Sequence, residues 1–275
     1  MRPSLKVLLA ALAVLALAAG CTQQPAEEPA PEPKVAPPVI GEAGVLRVGV
    51  DLEYPPFAGV DKDQEAGIDI DVATALANEL GLAVEWVQVV PSDVATALAG
   101  GEVDIVMSVP FTEEAMLGSS IAGSYVTDGP AFFSSADSSE TVTIETVAGR
   151  RVGAQQGSPA YWMLAYELGD EAVLSFPTLR EAFTALEAGD LDLVAGDALL
   201  GAYIAEDFES VRFAGQVQEA QPLGIAVGIE AAELGTIVRE TLDTLAANGV
   251  LDTIRTKWVG ELPELTVEAT GTVSE

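Results

Sequence analysis

The sequence predicts an α/β protein of two similar lobes, each built on a mainly parallel β-sheet that helices cover. Three observations lead to this prediction. Strand-like and helix-like segments alternate along the chain, and one helix–glycine–strand unit occurs twice. The stretch from Val45 to Pro263 is also long enough to bury two hydrophobic cores.

The first half of this stretch has the order β-α-β-α-β. One helix is marked by apolar residues at helical spacing from Val72 to Leu80, and Gly81 follows as a stop signal. Short apolar runs on either side have the length and the β-branched residues of buried strands. The predicted strands are Val45–Val50, Leu82–Val87 and Val103–Ser108, and the predicted helices are Asp69–Leu80 and Ser92–Ala99.

The second half repeats this order of strands and helices, and parts of its sequence are repeated as well. The stretch TALAGGEVDIV at 96–106 aligns with TALEAGDLDLV at 184–194, and RVGVD at 47–51 aligns with RVGAQ at 151–155. Only two copies occur, whereas a solenoid needs three or more. We therefore expect a second lobe that contains strands Arg151–Ala154 and Leu191–Ala195 and helices Ser158–Leu168 and Thr178–Ala188.

Open α/β sheets bind their ligands beyond the carboxyl ends of the strands. The loops that follow those ends are 51–59 and 108–114 in the first half, and 155–160 and 196–200 in the second. We expect these four loops to line one cleft.

The N-terminus has the features of a secretory signal. Arg2 and Lys6 precede an apolar run from Val7 to Ala19, which is shorter than the ~20 residues that a membrane-spanning helix needs. The residues that end at Cys21 read Ala-Ala-Gly-Cys, which resembles the lipobox of bacterial lipoproteins. We therefore expect residues 1–20 to be removed as a signal peptide and Cys21 to carry lipid. The alternative is a soluble secreted protein with one spare thiol.

Two segments flank the body. The stretch TQQPAEEPAPEPKVAPPV at 22–39 is rich in Pro, Ala and Glu and has no apolar period. Residues 21–44 are therefore expected to form an extended, lipidated tether. Residues 264–275 are expected to form a short loose tail.

Composition excludes several function classes. The chain has no histidine, which excludes His-based acid–base catalysis and His-ligated zinc. Cys21 is its only cysteine, which excludes internal disulfides and thiolate metal clusters. A net charge of −31 disfavours nucleic acid and anionic lipid surfaces, although acidity also serves the solubility of exported or salt-exposed proteins. We expect no cofactor, no metal and no nucleic-acid partner.

Five stretches are similar, in order and spacing, to the family 3 extracellular solute-binding proteins. They are LRVGVDLEYPPF at 46–57, GIDIDV at 67–72, GEVDIVMS at 101–108, VGAQQGS at 152–158 and KWVG at 257–260. The resemblance implies the two-lobe periplasmic-binding-protein fold, type II, in which two crossover strands form a hinge. It places lobe 1 at 45–131 and 227–263, lobe 2 at 132–226, and the crossings near 131–135 and 223–227.

The resemblance also implies the site residues. Tyr54 matches an aromatic that stacks on the ligand, and Asp51 an acid in the same loop. Asp197 matches the acid that receives the ligand's ammonium group, with a helix N-cap as its alternative role. Backbone N–H groups and a hydroxyl at Gly157 and Ser158 would receive a carboxylate at a helix N-terminus. The full predicted set is Asp51, Tyr54, Phe57, Ser108, Val109, Phe111, Thr112, Gln156, Gly157, Ser158 and Asp197.

One departure concerns the arginine that usually grips an α-carboxylate a few residues after the third strand of such proteins. Here Glu114 or Ala115 occupies that position. Either the carboxylate is held by the helix end at Gly157 and a distant base such as Arg180, or the ligand has no α-carboxylate. A polyamine or a quaternary ammonium solute is therefore a second ligand class, because carboxylates and an aromatic ring suit a cation.

The implied function is the substrate-binding component of an ABC importer, which traps its ligand between closing lobes and performs no chemistry on it. Its partners would be a small polar, amino-acid-like solute and the importer's permease. The chain would be a monomer, exported and held at the cell membrane through lipid on Cys21, facing the periplasm or the exterior. Less favoured alternatives are a carboxylate-based dehydratase that uses Glu53 or Glu113 as a base, and a signalling ectodomain with a separate membrane partner.

Overall fold

The computed structural model describes residues 32–136 and 140–267, so the predicted signal peptide and Cys21 lie outside the described residues. Among the described residues, no helix is long and apolar enough to cross a bilayer. The strands are β1 (Val45–Val50), β2 (Gly59–Asp61), β3 (Gln64–Ala66), β4 (Ala83–Gln88), β5 (Ile105–Pro110), β6 (Ser119–Asp128), β7 (Pro130–Ser135), β8 (Val152–Gln155), β9 (Val173–Phe176), β10 (Leu193–Asp197), β11 (Val211–Gln216) and β12 (Gln221–Gly228). The helices are α1 (Ile68–Leu80), α2 (Val94–Ala99), α3 (Pro159–Leu168), α4 (Leu179–Glu187), α5 (Ala198–Ala205), α6 (Ala232–Ala247) and α7 (Val250–Val259), with short 3₁₀ turns at Pro91–Asp93 and Asp170–Ala172.

Each of the two large sheets has a parallel part and an antiparallel part. In the first sheet, ordered β4-β1-β5-β12-β6, β1 is parallel to β4 and β5, while β12 is antiparallel to β5 and β6. In the second, ordered β11-β7-β10-β8-β9, β8 is parallel to β10 and β9, while β7 is antiparallel to β10 and β11. Helices connect the parallel strands, as parallel pairing requires. The predicted α/β class is confirmed.

Helix α1 lies where its apolar spacing predicts a helix. Its apolar residues at helical spacing, Val72, Ala73, Leu76 and Leu80, are all buried. The helix ends where Gly81 adopts a left-handed conformation, with φ of 72°, and donates its N–H to the carbonyl of Asn78. A left-handed C-cap favours glycine because glycine has no Cβ.

The chain changes sheet twice. Strand β6 of the first sheet runs into β7 of the second through Gly129, and β11 runs back into β12 through 217–220. The crossings were expected near 131–135 and 223–227, but those residues already pair within a sheet. Residues 221–226, predicted for lobe 2, therefore belong to the first sheet, and 130–131, predicted for lobe 1, belong to the second.

The two crossing segments touch each other. A Cβ added to Gly129 would lie 2.9 Å from the Cα of Ala220, which is closer than real Cβ atoms approach other atoms. Glycine at position 129 therefore permits the contact.

The repeated sequence stretches form the same arginine–aspartate interaction in both sheets. Arg47 donates its backbone N–H and two guanidinium N–H groups to Asp104, and a further guanidinium N–H to a backbone carbonyl. Arg151 forms the same set of bonds with Asp192. In both sheets the pair connects the start of one parallel strand to the loop before its neighbour. The first pair is mostly buried and the second is exposed.

The predicted tether is too long at its C-terminal end. Val35 and Ile40 are buried in the core, and the Lys34 N–H donates to the carbonyl of Leu80 at the end of α1 at 2.8 Å. Burial of one apolar side chain within the Pro-rich stretch and one directly after it holds this part of the chain on the body. The prediction of a tether through 44 is therefore wrong from Lys34 onward.

The prediction of a loose tail is wrong for Thr266. Its backbone N–H donates to the side-chain oxygen of Gln216 at 2.7 Å, and its carbonyl accepts from the Gln216 side-chain amide at 2.9 Å. The same carbonyl accepts from the Ala220 N–H at 2.8 Å, beside the second crossing. Residues 268–275 lie outside the described residues.

Candidate functional site

A cavity of about 590 Å³ opens at the carboxyl ends of β1 and β5. Its size lies within the range of small-molecule sites, roughly 300–1,000 Å³. Its walls come from the first sheet and the segments packed on it. The lining residues are Asp51, Tyr54, Phe57, Asp69, Val89, Pro91, Ser92, Val94, Ala95, Val106, Met107, Ser108, Val109, Pro110, Thr112, Glu114, Ala115 and Leu117.

Two aromatic rings form one wall of the cavity. Tyr54 and Phe57 are stacked, with ring centroids 5.1 Å apart and an angle of 7° between the rings. Phe57 is 1% exposed and Tyr54 is 44% exposed, so Phe57 supports the ring that Tyr54 presents. An exposed aromatic face that is backed by a second ring can stack on a planar group or receive a cation.

A β-bulge shapes the floor of the cavity. Between Val106 and Val109, strand β5 uses one more residue than its partner β12. Ser108 has a left-handed conformation there, with φ of 55°, which is uncommon for a residue other than glycine. Its N–H therefore leaves the ladder and donates to the hydroxyl of Tyr125 at 2.8 Å.

The bulge is held by a buried acid. The Ser108 hydroxyl donates to Asp69 at 2.9 Å, and the Tyr125 hydroxyl donates to the same carboxyl oxygen. Burial raises the pKa of Asp69 to about 6, although these two hydrogen bonds oppose the shift. Burial also raises the pKa of Tyr125. The hydroxyl of Ser108, predicted to contact ligand, is thus donated inward to Asp69.

The position of Asp51 is set by the neighbouring strand. Its carboxylate accepts from the side-chain amide of Gln88 at 2.9 Å and from the N–H of Glu53 at 3.2 Å. Gln88 in turn accepts from the N–H of Leu52 at 2.9 Å. The last residue of β4 therefore orients the acid that follows β1.

Asp197 ends β10 in the second sheet and precedes helix α5. Its backbone has the extended conformation of an N-cap residue, but its side chain caps nothing. The N–H of Leu199 is bound instead by Asp128, at 3.0 Å. The alternative role of Asp197 as a helix N-cap is therefore wrong for its side chain.

The Asp197 carboxylate forms no hydrogen bond and no ion pair with any described residue. Burial raises the pKa of Asp197. Burial also raises the pKa of Tyr54, and the negative charges of Asp197 and Asp128 raise it further. A half-buried acid with no partner is suited to a positively charged ligand group.

None of the predicted residues of the second sheet, Asp197 included, lines this cavity. Ser158 caps α3 by accepting from the Tyr161 N–H at 3.1 Å, and Gly157 has φ of 77° in the turn before it. The Gln156 N–H donates to the Phe176 carbonyl at 2.8 Å. The N-terminus of α3 therefore lies at the carboxyl end of β8, as the sequence predicts.

Phe111 is the one predicted residue of the first sheet that does not line the cavity. It packs on β12, where a Cβ added to Gly224 would lie 2.7 Å from its ring. The remaining predicted residues of the first sheet, Asp51, Tyr54, Phe57, Ser108, Val109 and Thr112, line the cavity together.

No lysine or arginine is among the described residues that line the cavity, whereas Glu114 and Ala115 are. Arg180, proposed from the sequence as a distant base, pairs with Asp207 at 2.7 Å and lies over the ring of Phe208 at 5.9 Å. Its guanidinium is therefore engaged elsewhere. The cavity lining is mostly apolar, and its ionisable carboxyl groups are those of Asp51, Asp69 and Glu114.

Three residues whose hydrogen bonds shape the site were not predicted: Asp69, Tyr125 and Asp128. A signal for Asp69 existed, because the helical period that places Val72 and Leu76 on the buried face also includes position 69. Asp128 precedes Gly129, and an Asp-Gly pair after a strand is a turn signal. No sequence signal distinguishes Tyr125 from other strand tyrosines.

The chain is similar in sequence to known proteins over most of its length. The profile of the family described as bacterial extracellular solute-binding proteins, family 3, matches residues 46–261. The chain is 28% identical over 225 residues to the L-arginine-binding protein of Pseudomonas aeruginosa, covering 78% of this chain and 87% of that protein. It is 26% identical over 202 residues to the ABC transporter glutamine-binding protein GlnH of Bacillus subtilis, covering 72% and 74%.

Solved structures extend the comparison. The chain resembles the Ancestral Cationic Amino Acid Solute Binding Protein (AncCDT-1) with a TM-score of 0.69 and 30% identity, covering 78% of this chain and 96% of that one. A second structure of AncCDT-1, with a TM-score of 0.57, is described as a precursor of cyclohexadienyl dehydratase.

Proposed function

Because this chain belongs to the bacterial extracellular solute-binding proteins, family 3, we propose that it is the substrate-binding component of an ABC importer. It captures a small, polar, amino-acid-like solute and delivers it to the importer's permease. One observation carries the assignment of the site: Asp197, at the end of β10, is a half-buried carboxylate with no hydrogen-bond or ion-pair partner among the described residues. Relatives that are named for binding arginine and glutamine support the solute class.

The proposed capture uses both sheets. Lobe 1 comprises the first sheet with α1, α2, α6 and α7, and lobe 2 comprises the second sheet with α3, α4 and α5. Closure about the crossings at Gly129 and 217–220 brings the solute on the Tyr54 wall against Asp197 and the N-terminus of α3. Asp197 receives the ammonium group, and the N–H of Gly157 at the N-terminus of α3 receives a carboxylate, because the N–H of Ser158 already donates to the Gln155 carbonyl at 3.1 Å.

A second ligand class has support from one observation, the lack of any base among the described residues that line the cavity. Asp51, Asp69 and Glu114 line the cavity instead, beside the Tyr54 ring. A cation without an α-carboxylate fits such a lining. The dehydratase alternative has less support, because neither Glu53 nor Glu113 lines the cavity.

Replacing Asp197 with Asn is expected to weaken binding of the cognate solute by about 10- to 100-fold, because a charge-assisted hydrogen bond contributes about 1.5–3 kcal/mol. The solute is first identified by mass spectrometry of small molecules released from the denatured protein, and affinity is then measured by calorimetry. Tyr54→Ala is expected to weaken binding as well. Asp192→Asn, an exposed acid of the same sheet, is the matched control and should bind like the parent.

Unchanged affinity in Asp197→Asn would contradict the proposed ammonium site. The two ligand classes are separated by comparing L-arginine with agmatine, which is the same molecule without its carboxylate. Tighter binding of L-arginine supports an amino-acid solute, and tighter binding of agmatine supports the cation class.

We further propose that the exported chain is anchored through lipid on Cys21 and acts as a monomer, at the membrane surface that faces the periplasm or the exterior. Cys21→Ser should move the protein from the membrane fraction to the soluble exported fraction, because two acyl chains are what hold such a protein stably. Fractionation and mass measurement of the mature N-terminus test this. A Cys21→Ser protein that stays membrane-bound would contradict lipid anchoring.

A further inference from the structure

Asp128 lies at the end of β6, immediately before the chain crosses to the second sheet at Gly129. One of its carboxyl oxygens accepts from the Gly129 N–H at 2.8 Å and from the Leu199 N–H at 3.0 Å. Leu199 is the second residue of α5, which packs on the second sheet. A single carboxyl group of the first sheet therefore binds the crossing segment and the N-terminus of a helix on the other side of it.

The helix could have been capped by its own N-cap residue. Asp is among the most favoured N-cap residues, and such a side chain ordinarily accepts from the second or third N–H of the helix. Asp197 holds that position with φ of −67° and ψ of 140°, which suits a cap, yet its side chain makes no cap hydrogen bond. One of the two donors that Asp197 could bind, the N–H of Leu199, is already bound by Asp128.

We propose that Asp128 is a positioning residue, which caps α5 across the crossing so that the carboxylate of Asp197 stays available to the ligand. The ligand role of Asp197 rests on the proposed function, whereas the capping arrangement does not. Asp128 thereby caps the helix and Asp197 binds the ligand. One aspartate could not do both, because a carboxylate that caps a helix is turned toward backbone N–H groups and away from a ligand.

The surroundings of Asp128 agree with this division. Burial raises the pKa of Asp128 to about 7, its bonds from Leu199 and Gly129 lower it, and the charge of Asp197 raises it. Burial raises the pKa of Tyr54, and the charges of Asp197 and Asp128 raise it further, so Tyr54 interacts electrostatically with the pair. Asp128 is therefore expected to change charge near neutral pH, and this change in charge can be followed directly.

The capping arrangement is tested without any ligand. In the uniformly ¹⁵N-labelled protein, the amide resonance of Leu199 is expected to shift with pH with a midpoint of about 7. This shift should persist in Asp197→Asn with a lower midpoint, because the negative charge beside Asp128 is gone. It should disappear in Asp128→Asn. A Leu199 shift that survives in Asp128→Asn and disappears in Asp197→Asn would overturn the proposal.

The consequence for binding is tested with L-arginine and agmatine as probes. Asp128→Ala is expected to weaken binding at least 10-fold, because Asp197 then turns to cap α5. Asp128→Asn keeps an oxygen acceptor and should restore most of the lost affinity. The double variant Asp128→Ala/Asp197→Asn should bind no more weakly than Asp197→Asn alone. Losses that multiply in the double variant would show independent roles and overturn the proposal.

The two experiments separate the two claims. If neither probe binds the parent protein, the proposed solute class fails, while the Leu199 titration still decides whether Asp128 caps α5. If the parent binds a probe but the pH-dependent shift of the Leu199 amide depends on Asp197 and not on Asp128, the proposed function is retained and the positioning role of Asp128 is wrong.

Discussion

The free energy of unfolding is expected to fall by about 3–5 kcal/mol when Asp104 is replaced by Ala. The side chain of Asp104 is 4% exposed and that of its partner Arg47 is 19% exposed. Asp104 accepts from the backbone N–H groups of Gly41 and Arg47 at 2.8 and 2.9 Å, and from the Arg47 guanidinium at 2.7 and 3.2 Å. Removing the carboxylate leaves a largely buried positive charge and two backbone donors without partners.

The chain carries its own control for this experiment. Asp192 binds Arg151 with the same pattern of hydrogen bonds, but the two side chains are 40% and 53% exposed. Water can replace the lost partner there, so Asp192→Ala should cost about 1 kcal/mol or less. Urea unfolding of both variants gives the comparison. Equal losses at the two sites would contradict burial as the cause of the difference.

The protein is expected to become more stable as the pH falls from about 8 to about 5. Burial raises the pKa of Asp69 to about 6 and that of Asp128 to about 7, and it also raises the pKa of Asp197. The unfolded chain has ordinary carboxyl pKa values near ~4, so the folded state binds more protons in this range. The stability from these groups is complete below about pH 4 and is lost as the pH rises through 6 and 7.

Each proton that the folded state takes up changes stability by about 1.4 kcal/mol per pH unit. Urea unfolding at about 0.5 M NaCl measures this slope while screening the general repulsion of a chain with a net charge of −31. The Asp69→Asn/Asp128→Asn variant should have a flatter profile than the parent. Asp192→Asn should keep the parental slope, because the Arg151 bonds lower the pKa of Asp192 below this range. A double variant with the full parental slope would contradict the prediction.

Much of the fold followed from local pattern. The buried face of α1, its end at Gly81 and the parallel strands β1, β4 and β5 all lie where apolar spacing and a glycine placed them. These features depend on neighbours in sequence, so a single chain reveals them. Helix α6 and the antiparallel strands β11 and β12 lie outside the elements that residue pattern predicts.

The crossings were placed a few residues away from their positions in the structure. Strand β12 pairs with β6 from Gln221 onward, so the ladder begins within the polar stretch Gln-Glu-Ala-Gln-Pro at 218–222, which has no strand pattern. A residue's own hydrophobicity does not tell which of two sheets it joins, because both sheets bury the same kinds of side chain.

For the site, too, the sequence predicts the positions of residues but not their interactions. The sequence by itself determined which loops follow the strand ends, and so it placed Asp51, Tyr54 and Ser108 at one cavity and Asp197 at the end of β10. Only the tertiary structure decided what each group does. Ser108 donates its hydroxyl to Asp69, and Asp128 binds the Leu199 N–H, which is one of the two donors that an N-cap at Asp197 could bind. The reason is physical: the hydrogen-bond partner of a carboxylate is set by side chains that meet only after folding, 39 residues apart for Ser108 and Asp69 and 71 residues apart for Asp128 and Leu199.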